Sequence, residues 1–77
     1  MTVQQLTSTM HAQPFRPFTI HMGDGRAFFV KHLDFIARSP SGRTVIVYAD
    51  DESHSVLDMV LVNEIEVHRP SRPEAAA

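Results

Sequence analysis

The feature that most constrains this chain is a change of period at Phe18. From there apolar and polar side chains alternate at a spacing of two, and short clusters of Gly, Pro, Ser and Asp repeatedly break the alternation. A period of two sends successive side chains to opposite faces of an extended backbone, so the pattern predicts strands rather than helices. Phe18, Ile20 and Met22 share one face, with Thr19 and His21 on the other. Asp24-Gly25 after them is a hairpin signal, because glycine takes the positive φ that a tight turn needs. The return strand, Arg26 to His32, then carries Phe28 and Val30 on one face and Ala27, Phe29 and Lys31 on the other.

Further along, Phe35-Ile36 spoils strict alternation, so Leu33–Ala37 is open to a bend, a bulge or a single helical turn. Ser39-Pro40-Ser41-Gly42 is a turn by composition, and the β-branched run from Arg43 to Ala49 is a strand. Asp50-Asp51-Glu52-Ser53 is the next turn. Ser55 to Leu61 reads as a fourth strand, with Val56, Asp58 and Val60 opposite Leu57, Met59 and Leu61. Asn63-Glu64 interrupts it, Val62–Glu64 forming a short corner, before Ile65 to His68 resumes in phase.

Ahead of the strands, Val3, Leu6 and Met10 fall at helical spacing, and Thr2 with Gln5 fits a capping box. Pro14 disfavours helical geometry at Gln13, so a helix is predicted over about residues 3–13. A helix this short is marginal alone and must dock on the strands. The sequence therefore predicts one mainly β domain over residues 1–68: an SH3-like or Sm-like antiparallel barrel of about five strands behind an N-terminal helix, with a disordered tail over 69–77. At 77 residues there is room for a single core.

Four short stretches carry a resemblance. Phe15-Arg16-Pro17-Phe18-Thr19-Ile20, Asp24-Gly25-Arg26, Val30-Lys31-His32-Leu33-Asp34-Phe35 and Ser39-Pro40-Ser41-Gly42-Arg43 occur in this order. The chain resembles, over about residues 3–68, a group of small bacterial proteins of unknown function with the pattern FRPF-x-I, DGR, V-x-H-P-[DE]-F and SP-x-GR. Leu33 stands where that group commonly has proline. The resemblance implies no activity. More distantly, a helix before five strands is similar to Sm-like RNA-binding rings.

Composition narrows the chemistry. With no cysteine, there is neither a disulfide framework nor a thiolate metal site, and no cysteine nucleophile. Apolar runs of three or four residues are far short of the roughly 20 that span a bilayer, and Met1–Leu6 has no secretory character, so a cytoplasmic location without a membrane partner is expected. His11, His21, His32, His54 and His68 are numerous but lack metal-site spacing, so no metal or other cofactor is assigned. Of these, His32 is expected to fix the irregular segment after it by bonding a backbone carbonyl. Asp50-Asp51-Glu52 lacks the alternating ligands of a calcium loop, and no nucleophile elbow or phosphate loop occurs, so no catalytic residue is assigned.

Charge is unevenly placed within a net −2. Residues 1–49 hold Arg16, Arg26, Lys31, Arg38 and Arg43 against Asp24 and Asp34, a formal +3; residues 50–77 hold Arg69 and Arg72 against seven acids, a formal −5. Several strands also carry apolar residues on both faces: Val45 and Val47 oppose Ile46 and Tyr48. A small domain with such a surplus covers it with its helix or with another chain. The expected function is non-catalytic protein binding or self-association through Arg26, Phe29, Lys31, Arg43, Ile46 and Tyr48. Single-stranded nucleic acid is the alternative partner, since arginines beside outward aromatics can stack bases.

Overall fold

The computed structural model describes residues 2–69. Thr2 opens the helix α1, Val3–Met10, through the expected capping box: its hydroxyl accepts from the Gln5 N–H, and the Gln5 side chain accepts from the Thr2 N–H. The helix ends earlier than predicted. His11 leaves helical geometry as its cap, its N–H reaching back to Thr7. Leu6 and Met10 are buried, one face of α1 lying on the strands.

Six strands follow: β1 Phe18–Met22, β2 Ala27–Val30, β3 Ile36–Arg38, β4 Thr44–Tyr48, β5 His54–Asp58 and β6 Val62–Val67. They form two three-stranded antiparallel sheets in the orders β2-β1-β6 and β3-β4-β5. The fold is thus mainly β with one short helix, and the ladders make two separate sheets rather than one closed barrel. Phe18, Ile20 and Met22 from β1, Val30 from β2, Val45 and Val47 from β4, and Leu57 from β5 point into a shared core with Leu6 and Met10. Each fully buried side chain of this size contributes about 1.5–3 kcal/mol, a large share of what a domain this small has.

Three irregularities shape the fold. Leu33–Phe35 is a 3₁₀ turn, the single helical turn among the alternatives left open for Leu33–Ala37, and it separates β2 from β3. His32 does hold this turn, but as an acceptor: its Nδ1 takes the Asp34 N–H at 3.2 Å, where a bond to a carbonyl was expected. A second 3₁₀ turn, Met59–Leu61, ends the predicted fourth strand early, because the Asp58 carboxylate accepts from the Val60 N–H and turns the chain. The corner expected at Val62–Glu64 therefore lies at Met59–Leu61, and Leu61 is exposed rather than sharing Leu57's inward face.

Asn63 is a bulge. Met22 pairs with Val62 while the next residue, His21, pairs with Glu64, so one extra residue is absorbed and Val62 and Ile65 both face inward. The tail expectation, Arg69 apart, lies outside the described residues.

Candidate functional site

A cleft of about 310 Å³ opens between β2 and the β4–β5 hairpin. Its apolar wall comes from Phe28 and Phe29 on β2, Phe35 on the 3₁₀ turn and Tyr48 on β4. Phe29 and Tyr48 are outward because strand alternation gives the inward positions to Val30 and Val47. Both are open to solvent, 56% and 40% exposed. The Tyr48 ring lies beside the His54 ring, centroids 5.6 Å apart, and His54 is its cross-strand partner.

The polar end of the cleft is an ion pair between Lys31 and Asp50, with the Lys31 ammonium also 4.9 Å from the centre of the Phe35 ring. Asp50 belongs to the tight turn joining β4 to β5. In that turn the Ala49 N–H bonds the Ser53 carbonyl and Glu52 takes a positive φ of 71°. The Asp51 carboxylate accepts from the Ser53 hydroxyl at 2.6 Å and from its N–H at 3.0 Å, which holds its pKa below the ordinary value. Of the three acids in this turn, Asp50 alone lines the cleft, where it meets Lys31.

Of the six residues singled out in sequence, Phe29, Lys31 and Tyr48 meet here and the other three do not. Ile46 is half-buried at the middle of the outer face of its sheet, between Ala37 and Val56. Arg26 folds back on its own turn, its Nε 2.8 Å from Asp24 and its guanidinium over Phe28. The Arg26 N–H, followed by the guanidinium, keeps the Asp24 carboxyl below its usual pKa. Arg43 lies at the opposite end of β4, bonded to Asp58 at 3.3 Å. Sequence reasoning missed Phe35 and His54 as cleft residues: Phe35 sits in the irregular segment, and only the β4–β5 register brings His54 beside Tyr48. The signal for His54 was present, since a hairpin centred on Asp51 must pair the two.

Two further arginines serve the backbone. Arg16 donates to the His68 carbonyl, and Arg38 to those of Ser39 and Pro40. On the outer face of β1, Thr19 bonds the His68 ring at 2.7 Å and His21 bonds Glu66 at 3.0 Å. That bond from His21 is the main cause of a lowered Glu66 pKa. The Phe29 and His68 rings lie 5.8 Å apart across β1. Among the described residues no three His, Asp or Glu side chains gather as a metal site, and no helix is long and apolar enough to cross a membrane. Compared with known protein families, curated proteins and solved structures, the chain matches none.

Proposed function

We propose that the protein is a non-catalytic binding module that takes a protein segment, from a partner or from a second copy of the chain, into the cleft between β2 and the β4–β5 hairpin. One observation carries the reading: Phe29 and Tyr48 stand in water on the walls of one cleft while the core closes without them. Covering an aromatic side chain returns about 1.5–3 kcal/mol, which a docking segment would supply. The architecture agrees with such a role. A chain that crosses from one three-stranded sheet to the other between β2 and β3 is similar to SH3-like and Sm-like small barrels, whose surfaces serve recognition; this likeness is one of fold and assigns no partner.

Protein is preferred to nucleic acid because Arg26, Lys31 and Arg43, the cations expected to meet a phosphate backbone, each sit against a carboxylate, which lowers the positive charge they offer for counterion release. Light scattering on a sizing column at about 50 mM and about 500 mM salt tests both readings. Self-association that survives high salt and is reduced by Phe29→Ala or Tyr48→Ala supports the proposal, as does a purified partner whose affinity falls tenfold or more with either variant. A monomer whose partners bind both variants unchanged overturns it. Oligonucleotide binding that is lost at high salt and weakened by Arg43→Ala replaces it.

A further inference from the structure

The sheet β3-β4-β5 ends on β5, and among the described residues no strand pairs with its far side. Backbone bonds in an antiparallel ladder alternate between the two sides of a strand. The Ala49 N–H bonds the Ser53 carbonyl and the Met59 N–H bonds the Arg43 carbonyl, so Ser53, Ser55, Leu57 and Met59 turn their bonding groups toward β4. His54, Val56 and Asp58 therefore turn theirs outward. A bare edge is a template for another strand unless lysine, proline or a bulge blunts it, and β5 has none of these.

The side chains of this edge are complementary to themselves. Two copies of His54-Ser55-Val56-Leu57-Asp58 laid antiparallel about Val56 set each His54 opposite an Asp58, Val56 opposite Val56, and Ser55 opposite Leu57. In that register every outward N–H and carbonyl of His54, Val56 and Asp58 meets its counterpart. Both bonds to the Asp58 carboxylate, from Arg43 and from the Val60 N–H, fall on Oδ1, which leaves Oδ2 for the opposing imidazole. Val56 ends an apolar row, Ala37–Ile46–Val56, across the outer face of the sheet, yet it is 63% exposed. Pairing carries that row on through the second copy. The other edges do not offer this match: the same operation about Ile65 of β6 sets Glu64 against Glu66 beside the Asn63 bulge, and β2 and β3 are shorter strands.

We propose that the protein forms a symmetric dimer by antiparallel pairing of β5 with β5 of a second copy, Val56 lying on the two-fold axis. Charge complementarity names the occupant, because a second copy satisfies both ends of β5 at once. The two central sheets then run on as one, in the order β3-β4-β5-β5-β4-β3. The proposal stands apart from the cleft reading. His54 and Ser55 border both surfaces, but Val56 is not part of the cleft lining, so Val56 carries the test.

Light scattering from about 10 μM to about 1 mM reads the dimer, and amide hydrogen exchange reads its register. The full chain should dimerise within that range, the amides of His54, Val56 and Asp58 slowing with concentration more than those of Ser55 and Leu57. Val56→Lys sets two ammonium groups against each other on the axis without touching the core, and should weaken dimerisation at least about tenfold. His54→Asp should weaken it too, whereas His54→Lys, which supplies a cation opposite Asp58, should retain it. Directly paired residues bring their Cα atoms to about 5.5 Å, within reach of a disulfide, and the chain has no cysteine of its own. Mild oxidation should therefore cross-link Val56→Cys rapidly and Val60→Cys, although more exposed, slowly. A chain still monomeric at about 1 mM overturns the proposal, as does a dimer indifferent to Val56→Lys. A dimer lost with Phe29→Ala or Tyr48→Ala but kept with Val56→Lys overturns it in favour of the cleft. Loss with Val56→Lys alone supports it and leaves the cleft reading to be decided by outside partners.

Discussion

Gly42 is the point at which the helix is locked to the sheets, and replacing it should be unusually costly. It closes the β3–β4 turn with a positive φ of 78°, its N–H bonded to the Ser39 carbonyl at 2.8 Å. A methyl group added there would run into the Val3 side chain at the start of α1. Two costs add. An alanine at positive φ costs roughly 1–2 kcal/mol, and overpacking of this kind roughly 1–3 kcal/mol more, so Gly42→Ala should destabilise by about 2–5 kcal/mol.

Gly25 isolates the first cost, since it also has a positive φ, 95°, yet a Cβ there meets nothing within 4 Å. Gly25→Ala should therefore lose only about 1–2 kcal/mol. Val3→Ala removes the two closest contacts and leaves the Val3 Cβ at 3.0 Å, so Gly42→Ala made in that background should cost less than in the parent chain, though still more than Gly25→Ala. Urea unfolding followed by far-ultraviolet circular dichroism gives all the values needed for the cycle. Equal losses for Gly25→Ala and Gly42→Ala, or a Gly42→Ala cost unaffected by Val3→Ala, would refute the contact between α1 and the turn.

Other consequences are more local. Glu52 holds a positive φ without being glycine, so Glu52→Gly should raise stability by about 0.5–1 kcal/mol, read as a higher urea midpoint. Thr2→Ala removes half of the capping box and should cost about 1 kcal/mol in the same assay, with a loss of helical signal. Asp24, Asp51, Asp58 and Glu66 all have pKa values lowered in the folded chain, for Asp58 chiefly through the Val60 N–H and then Arg43. Their stabilising effect is complete above the unfolded carboxylate values near pH 4 and disappears as pH falls through the lower folded values. The urea midpoint should accordingly drop between pH 5 and pH 2.5, and Asp58→Asn should make that drop shallower.

Most of the strand pattern was legible because a buried face imposes its period on the residues that form it. Phe18, Ile20 and Met22 are buried in strict alternation, and Phe28 and Phe29 divide between the two faces as expected. What the period could not show is where a local side chain overrides it. Asp58 ends β5 by capping Val60, and no hydropathy pattern distinguishes that carboxylate from an ordinary outward residue of a strand. Asn63 misleads in the other direction: a bulge and a corner both appear in sequence as one residue out of phase, and only the pairing of Val62 with Met22 and Glu64 with His21 separates them. The site followed the same rule. Phe29 and Tyr48 were found by alternation, whereas Phe35 and His54 required the turn and the register.

Charge illustrates why a count along the chain is a poor guide to a surface. The excess of cations in residues 1–49 and of acids in 50–77 suggested one basic and one acidic face. Antiparallel folding brings those two stretches against each other. The β4–β5 ladder sets Thr44 opposite Asp58, which carries Arg43 to that carboxylate, and the turn at the far end of the same hairpin delivers Asp50 to Lys31. Two of the cations that made the first stretch basic are thereby spent on acids of the second. At the cleft itself the charged lining residues are Lys31 and Asp50, which pair with each other, so the surface left open there is the aromatic one of Phe29 and Tyr48.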